Sequence, residues 1–359
     1  SGKTSTKDLI AAVLAPLGEV IAPPGSFNNE LGHPWTVLRA TRSTDYLVLE
    51  MSARHPGNIA ALARIAPPSI GVVLNVGTAH LGEFGSREVI AATKSELPQA
   101  VPASGVVILN ADDPMVAAMA ETTAARVVRV SRSPGADLWA GDATLDELAR
   151  PRFTLHAGGA RVPVSLAVHG DHQVSNALCA AAVALECGAD LQQVSAALAA
   201  AGPASRQRMQ VCTRSDGVTV INDAYNANPD SMRAALATLA TFDPAPGARR
   251  VAILGDMLEL GEASDTEHAA LLEAAPSGID LILALGAAMT RAVGSTPRGE
   301  ALGDASDEAA QCAASLVRPG DVVLLKASRS MRLERVREAM LTLGARSHAV
   351  HSPPRTDGP

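Results

Sequence analysis

Lysine is rare in this chain, and three of its four lysines, Lys3, Lys94 and Lys326, occupy positions where an amine could do chemistry. Lysine and arginine together number 30, yet only Lys3, Lys7, Lys94 and Lys326 are lysines. A sequence that uses arginine for ordinary charge retains lysine where a compact ammonium or a nucleophilic amine is required. Sampling noise on a small count is the alternative, so each position must also make sense by itself.

The first four residues, Ser1-Gly2-Lys3-Thr4, match the second half of a phosphate-binding loop. In such loops backbone N–H groups at a helix N-terminus hold phosphate oxygens, Lys3 would reach the β- and γ-phosphates, and the Thr4 hydroxyl would bind Mg²⁺. The tetrapeptide is short enough to arise by chance, but its position before a predicted helix favours this interpretation. The glycine that completes the pattern would lie upstream of Ser1, so we expect the chain to be a fragment of a longer protein.

Two predicted strand ends carry candidate metal ligands. Glu50 ends the apolar run 46–51, and His80 follows the next run, 70–76. Ligands of open α/β sheets bind at the carboxyl edge, where Glu50 could hold Mg²⁺ with Thr4 and His80 could bind a second ion. A strand-end salt bridge for Glu50 and a surface hydrogen bond for His80 are the alternatives.

Lys94 lies in the middle of a predicted helix, among apolar neighbours. A partly buried amine is more reactive and can add CO₂ to form a carbamate, which is an anionic metal ligand. A surface lysine whose aliphatic stem covers apolar side chains is the alternative.

Two loops in the second half of the chain also lie at predicted strand exits. Residues 223–229 place the carboxylate of Asp223 and the amides of Asn226 and Asn228 in a tight turn before a helix, and residues 254–261 form a glycine-bracketed loop. Both are equally well explained by ordinary turn and capping chemistry.

Composition limits the class of protein. A chain of 359 residues predicts two domains, and 47% hydrophobic with 2% aromatic residues predicts cores of Ala, Val and Leu. The net charge of −7 argues against a nucleic-acid-binding protein. Four scattered cysteines argue against a disulfide framework or structural zinc, and neither a membrane-length apolar run nor a signal peptide is visible, so we expect a cytoplasmic protein.

Alternating strand and helix patterns predict two α/β domains with parallel sheets, 1–203 and 204–359, divided at Gly202-Pro203. Helices are predicted at 6–17, 87–101 (weakened near Pro98), 113–120, 172–187 and 191–201, and strands at 46–51, 70–76, 106–110, 218–221, 251–254, 281–285 and 322–325. Residues 126–170 are predicted to be strand-rich with a hairpin at Gly158-Gly159, and 352–359 to be disordered.

Taken in order, these motifs resemble those of the Mur ligases over nearly the whole chain. The resemblance runs through residues 1–4, 27–34, 49–51, 75–82, the Lys94 segment, 170–177, Arg208, 223–229 and 254–261. It implies a P-loop-type ATPase domain with a mostly parallel sheet, followed by a Rossmann-like α/β C-terminal domain, with ATP between the two. The family's N-terminal UDP-binding domain is absent from this sequence.

The resemblance also implies roles for individual residues. Lys3, Glu50, His80 and Lys94 would be catalytic, and two Mg²⁺ ions would be held by Thr4, Glu50, His80 and a carbamylated Lys94. ATP would be bound by Ser1, Gly2, Lys3, Thr4, His172, Asn176, Arg208, Asp223 and Asn226. The other substrates would be contacted by Asn28, Asn29, Glu30, Asn228, Lys326, Ser328 and Arg329. Gln173 stands where asparagine is common in the family.

Within the family, residues 28–30, 225–229 and 255–261 favour the member that joins D-alanyl-D-alanine to UDP-N-acetylmuramoyl-tripeptide through an acyl phosphate. We expect a monomeric enzyme of peptidoglycan precursor synthesis with these small-molecule substrates. A sibling Mur ligase, a folylpolyglutamate-type ligase and a non-catalytic nucleotide-binding regulator are the alternatives.

Overall fold

The computed structural model describes residues 1–77 and 84–350 and divides the chain into two compact units. Unit 1 comprises Ser1–Arg206 with Glu259–Gly261, and unit 2 comprises Gln207–Leu258 with the residues from Glu262 onward. None of the helices in the described part of the chain is long and apolar enough to cross a membrane. Residues 352–359, predicted to be disordered, lie outside the described residues.

Unit 1 contains parallel strands followed by an antiparallel portion of the same sheet. Its strands are β1 (Val20–Ile21), β2 (Tyr46–Leu47), β3 (Ile70–Val73), β4 (Val106–Asn110), β5 (Arg126–Ser131), β6 (Leu138–Leu145), β7 (Pro151–Ala157) and β8 (Ala160–Ser165). Strands β3 to β8 form one six-stranded sheet in sequence order, and β1 pairs with β2 in a separate parallel pair. The predicted strands at 46–51 and 70–76 are shorter than expected. Between them lies a cavity of about 550 Å³.

The predicted hairpin at Gly158-Gly159 is confirmed. It joins β7 to β8, with Ala157 opposite Ala160 in an antiparallel register. Both glycines have positive φ, 56° and 82°, as a two-residue turn that follows the twist of its strands requires. On the neighbouring strands the rings of Trp139 and His156 stack 3.6 Å apart.

Helices cover both faces of the six-stranded sheet in unit 1. They are α1 (Lys3–Leu14), α2 (Gly32–Val37), α3 (Asn58–Ile65), α4 (Arg87–Ala100), α5 (Pro114–Ala117), α6 (Gln173–Glu186) and α7 (Leu191–Ala200). Successive side chains of β4 point to opposite faces of the sheet, and each face has its own hydrophobic core. Ile108 packs with α1 and α6 on one face, whereas Val107 and Leu109 pack with Ile90 of α4 on the other. Helix α4 continues two residues beyond Pro98 and ends at Ala100, one residue before the predicted end.

Unit 2 has a six-stranded sheet in the order β13-β12-β11-β14-β10-β9. The strands are β9 (Gln210–Thr213), β10 (Thr219–Asn222), β11 (Arg250–Gly255), β12 (Leu281–Leu285), β13 (Gly299–Ala301) and β14 (Val322–Lys326). The expectation of parallel pairing is wrong for β9, which is antiparallel to β10. The reason is the tight turn between them, where Arg214 N donates to Val218 O at 2.8 Å and Gly217 has φ of 85°.

Small residues let the helices of unit 2 approach its sheet closely. The helices are α8 (Pro229–Thr241), α9 (Ser264–Glu273), α10 (Ala287–Val293), α11 (Asp307–Ser315) and α12 (Glu334–Val350). Four alanines of α11, at 309, 310, 313 and 314, are buried in one core with Val323 and Leu325 of β14. The aromatic-poor composition therefore produces the aliphatic core that was predicted.

Candidate functional site

The N-terminus of α1 is shaped by Gly2. This residue caps the helix in the left-handed conformation, with φ of 82°, and its carbonyl accepts a hydrogen bond from Thr6 N at 2.9 Å. A Cβ atom at Gly2 would lie 2.7 Å from Oδ1 of Asn176. The helix thus begins at Lys3, earlier than the predicted residue 6, and its first N–H groups are available to an anion.

Thr4 and Glu50 form a buried pair at this helix end. The Thr4 hydroxyl donates to Glu50 Oε2 at 2.8 Å and lies 2.6 Å from the Ser26 hydroxyl. The Asn28 amide donates to the other carboxylate oxygen, Oε1, at 2.6 Å. Hydroxyl and carboxylate oxygens are the ligands that Mg²⁺ prefers, so Thr4 and Glu50 fit a magnesium site.

Lys94 lies at the same edge of unit 1. Its half-buried amine donates to the carbonyl of Asn75, whose side-chain amide in turn donates to Ser1 O at 3.1 Å. The predicted metal ligand His80 lies outside the described residues. Within 1–77 and 84–350, no three His, Cys, Asp or Glu side chains converge as a metal site would require.

The start of α6 contacts the phosphate-loop residues through Asn176. The Asn176 amide donates to Gln173 Oε1 at 2.9 Å, and both side chains are buried. Just before the helix, Asp171 forms a two-bond ion pair with Arg132, and His172 is the capping residue. Gln173, the departure from the family pattern, therefore orients Asn176 from within the helix.

Residues 27–39, which reach Glu50 through Asn28, carry several exposed apolar side chains. The rings of Phe27 and Trp35 lie 5.1 Å apart, and the Arg39 guanidinium lies 5.2 Å from the Trp35 ring. Leu31 and Leu38 are 77% and 84% exposed. Of the predicted substrate-binding residues here, Asn28 bonds Glu50, Asn29 accepts from Gly32 N at 2.9 Å, and Glu30 is exposed.

In unit 2 the turn after β10 is held by Lys326. The ammonium group of this residue, 2% exposed, donates to Asp223 Oδ2 at 2.5 Å, to Asn226 O at 3.1 Å and to Asp223 O at 3.4 Å. Asn228 caps α8 by accepting from Ser231 N at 2.9 Å, in a reciprocal capping box. Turn and capping chemistry therefore explain part of this motif.

Arg208 lies on the ring of Tyr225, with 4.2 Å between its guanidinium carbon and the ring centroid. Arg329 approaches the same ring at 6.0 Å and donates to the Gln207 side-chain oxygen at 2.5 Å. Ser328 accepts from Leu258 N at 3.0 Å. These contacts gather three predicted site residues and Tyr225 at one edge of unit 2.

Sequence reasoning missed some residues of these sites. Lys7 is buried, pairs with Asp8 and donates to Pro23 O at 2.8 Å. The sequence feature that could have identified it is a lysine inside a predicted helix of an arginine-rich chain. In the loop 254–261, Asp256 caps α10 by accepting from Met289 N at 2.8 Å, and a carboxylate at a strand exit was the only signal.

Comparisons with known proteins agree with this geometry. Residues 1–184 match the Mur ligase middle domain, and residues 207–329 match the Mur ligase glutamate ligase domain. The UDP-N-acetylmuramoyl-tripeptide–D-alanyl-D-alanine ligase of Mycobacterium tuberculosis (strain CDC 1551 / Oshkosh) is 64% identical over 366 residues, covering 95% of this chain and 71% of the relative. The ligase of that name from Escherichia coli (strain K12) is 36% identical, covering 80% of this chain and 63% of the relative.

Two solved structures have a similar fold. The crystal structure of MurF from Acinetobacter baumannii superposes with a TM-score of 0.87 at 31% identity, covering 95% of this chain and 75% of that one. MurF ligase from Thermotoga maritima in complex with ADP gives a TM-score of 0.84 at 28% identity, covering 97% of this chain and 79% of that one.

Proposed function

This chain belongs to the Mur ligase family, and from that premise we propose how its own residues serve the reaction. The protein is an ATP-dependent ligase that adds D-alanyl-D-alanine to UDP-N-acetylmuramoyl-tripeptide, a step of peptidoglycan precursor synthesis. The observation that supports a working site most directly is the buried Thr4–Glu50 pair beside Lys3 at the start of α1. A protein that only bound nucleotide would not need a second metal site, so the proposed role of Lys94 near this pair also favours an enzyme.

In the proposed site the first turn of α1 binds the phosphates of ATP. Backbone N–H groups after Gly2 hold phosphate oxygens, and the Lys3 ammonium neutralises charge on the γ-phosphate. Thr4 and Glu50 hold one Mg²⁺, which when bound neutralises charge on the transferring group. His80 and a carbamylated Lys94 hold a second ion. The oxygen donors of Thr4 and Glu50 and the nearby amine of Lys94 support this assignment.

The reaction has two group transfers. The terminal carboxylate of the tripeptide attacks the γ-phosphorus of ATP, which releases ADP and forms an acyl phosphate. The free amine of D-alanyl-D-alanine then attacks the acyl carbon, loses a proton, and the tetrahedral intermediate expels inorganic phosphate as the amide forms. Positioning and charge neutralisation supply most of the catalysis, because phosphoryl transfer asks little covalent chemistry of a protein.

Further residues are proposed to hold the substrates. The residues proposed to bind the nucleotide are Ser1, His172, Asn176, Arg208, Asp223 and Asn226. The tripeptide and dipeptide are contacted by Asn28, Asn29, Glu30, Asn228, Ser328 and Arg329. Lys326, which the resemblance placed in the same group, is buried against Asp223. We further propose that the enzyme acts in the cytoplasm, since its substrates are soluble nucleotide-linked precursors and ATP, and that it acts as a monomer.

The test is phosphate release by the full-length protein with Mg-ATP, UDP-linked tripeptide and D-alanyl-D-alanine, with each omitted in turn. Release that requires all of them is the expected result. Release with a single amino acid in place of the dipeptide would assign the protein to a sibling reaction. Nucleotide binding without any release would contradict the proposal.

A further inference from the structure

The carboxylate of Asp223 joins two separate segments of unit 2. Its Oδ2 atom accepts from the Lys326 ammonium at 2.5 Å, and its Oδ1 atom accepts from the backbone N–H of Met209 at 3.1 Å. Lys326 is 103 residues further along the chain, at the end of β14. A single carboxylate therefore connects the end of β14 to the loop that precedes β9.

That loop has an unfavourable backbone conformation on both sides of Arg208. Gln207 has φ of 58° and Met209 has φ of 47°, and neither is glycine. Left-handed conformations are strained for residues other than glycine, so such a loop persists only where its surroundings hold it. Here the hydrogen bonds from Met209 N to Asp223 and from Tyr225 N to Gln207 O (3.2 Å) hold it.

The effect of this conformation is to place the Arg208 side chain against the Tyr225 ring at 4.2 Å. Tyr225 belongs to the turn whose Asn226 carbonyl accepts from Lys326 at 3.1 Å. The amine of Lys326 thus fixes both parts of the contact, the arginine loop through Asp223 and the tyrosine turn directly.

We propose that Lys326 is a positioning residue that acts through Asp223 to hold Arg208 in place for the nucleotide, and that it does not contact the dipeptide. This inference rests on the nucleotide-binding role proposed for Arg208. Lysine suits the position because a compact ammonium can donate in three directions within a small buried space, whereas a planar guanidinium cannot.

A double-mutant cycle tests the proposal in the full-length ligase. The variants are Lys326→Met, Arg208→Ala and the double variant, each assayed for kcat/KM with ATP, for the KM of D-alanyl-D-alanine and for melting temperature. Because part of its effect passes through Arg208, Lys326→Met should lower kcat/KM for ATP about tenfold in the wild type but only about threefold in the Arg208→Ala background, where its contacts to Asp223 and Asn226 still matter. The KM of the dipeptide should not change.

A matched control separates this effect from general destabilisation. Arg214 and Asp216 form another half-buried ion pair of unit 2, at 2.7 Å, in the turn between β9 and β10. Arg214→Met should lower the melting temperature and leave kcat/KM for ATP unchanged.

If Lys326→Met does not fold, Lys326→Gln replaces it in the same cycle. A side-chain amide is uncharged and has two N–H donors, so it cannot reproduce the three contacts of the ammonium to Asp223 Oδ2, Asp223 O and Asn226 O. The same non-additivity with Arg208→Ala is expected.

Two outcomes would overturn the inference while leaving the ligase activity intact. In the first, the fold-losses in kcat/KM for ATP of Lys326→Met and Arg208→Ala multiply in the double variant, so the two residues act independently. In the second, Lys326→Met raises only the KM of D-alanyl-D-alanine. Absence of ATP-dependent phosphate release by the wild type would instead overturn the proposed function itself.

Discussion

The hydroxyl of Thr4 and the carboxylate of Glu50 are hydrogen-bonded at 2.8 Å, although 46 residues separate them in the sequence. The bond connects the first turn of α1 to the segment that follows β2. It brings a helix N-terminus, which attracts anions, next to a carboxylate, which attracts cations. A metal-bound phosphate group needs both at once.

Glu50→Gln should lower phosphate release on the order of a hundredfold and raise the Mg²⁺ concentration needed for half-maximal rate, because an amide binds Mg²⁺ poorly. Stability should fall little, since the amide keeps the shape of the side chain. Glu19→Gln, at an exposed site, is the control and should be unchanged in both measurements. Wild-type magnesium dependence in Glu50→Gln would refute the metal assignment.

Gly2→Ala and Gly57→Ala form a matched pair, because both glycines cap helices in the left-handed conformation, with φ of 82° and 87°. A Cβ at Gly57 would meet no atom within 4 Å, whereas one at Gly2 would meet Asn176 at 2.7 Å. Urea unfolding should show a loss of about 1 kcal/mol for Gly57→Ala and more for Gly2→Ala. Only Gly2→Ala should weaken ADP binding by calorimetry; equal weakening in both would contradict the close-approach argument.

Lys94 provides a chemical prediction. If its amine carries a carbamate, activity should fall after CO₂ is removed at mildly acidic pH and return on addition of bicarbonate. Lys94→Ala should be nearly inactive and be partly restored by a small carboxylic acid such as acetate, because that acid replaces the missing anion. Lys94→Arg keeps a cation that forms no stable carbamate and should stay inactive with bicarbonate. Unchanged phosphate release by Lys94→Ala, with or without bicarbonate, would rule the modification out.

Unit 1 should lose stability on mild acidification because of two histidines. Burial lowers the pKa of His33 more than the nearby backbone carbonyls of Glu50 and Leu62 raise it, and burial likewise lowers the pKa of His169. The unfolded chain therefore binds protons more readily, and the free energy of unfolding should decrease as pH falls below about 6.5 towards the folded pKa values.

The measurement is urea unfolding of the wild type and of His33→Leu at about pH 7.5 and about pH 5.5. His33→Leu should show a smaller loss of stability between the two conditions than the wild type. Equal losses would mean that His33 does not contribute to the pH dependence.

Local sequence patterns predicted most of the elements that carry the sites. Strand β12 was predicted with both of its ends, and α6 and α7 within one residue at each end, because helix periodicity and glycine breaks are local signals. The hairpin at Gly158-Gly159 was predicted for the same reason. The antiparallel strand β9 was missed, because a four-residue strand with half-buried faces gives no clear alternation.

The sites were predicted less completely than the fold. Thr4 and Glu50 were expected to meet, since the topology of a parallel sheet brings strand ends and helix starts together. The burial of Lys326 against Asp223 could not be read from the sequence, because it depends on a pairing across 103 residues. The positive φ angles of Gln207 and Met209 carried no sequence signal either, since neither residue favours that conformation.

The placement of the two tryptophans allows intrinsic fluorescence to be used as a binding signal. Trp35 packs between Phe27 and Arg39, in the segment that supplies Asn28 to Glu50, whereas Trp139 is stacked on His156. Trp139→Phe would leave Trp35 as the one indole of this sequence. Its fluorescence would then report ligand arrival beside Glu50 directly, in real time and without any label.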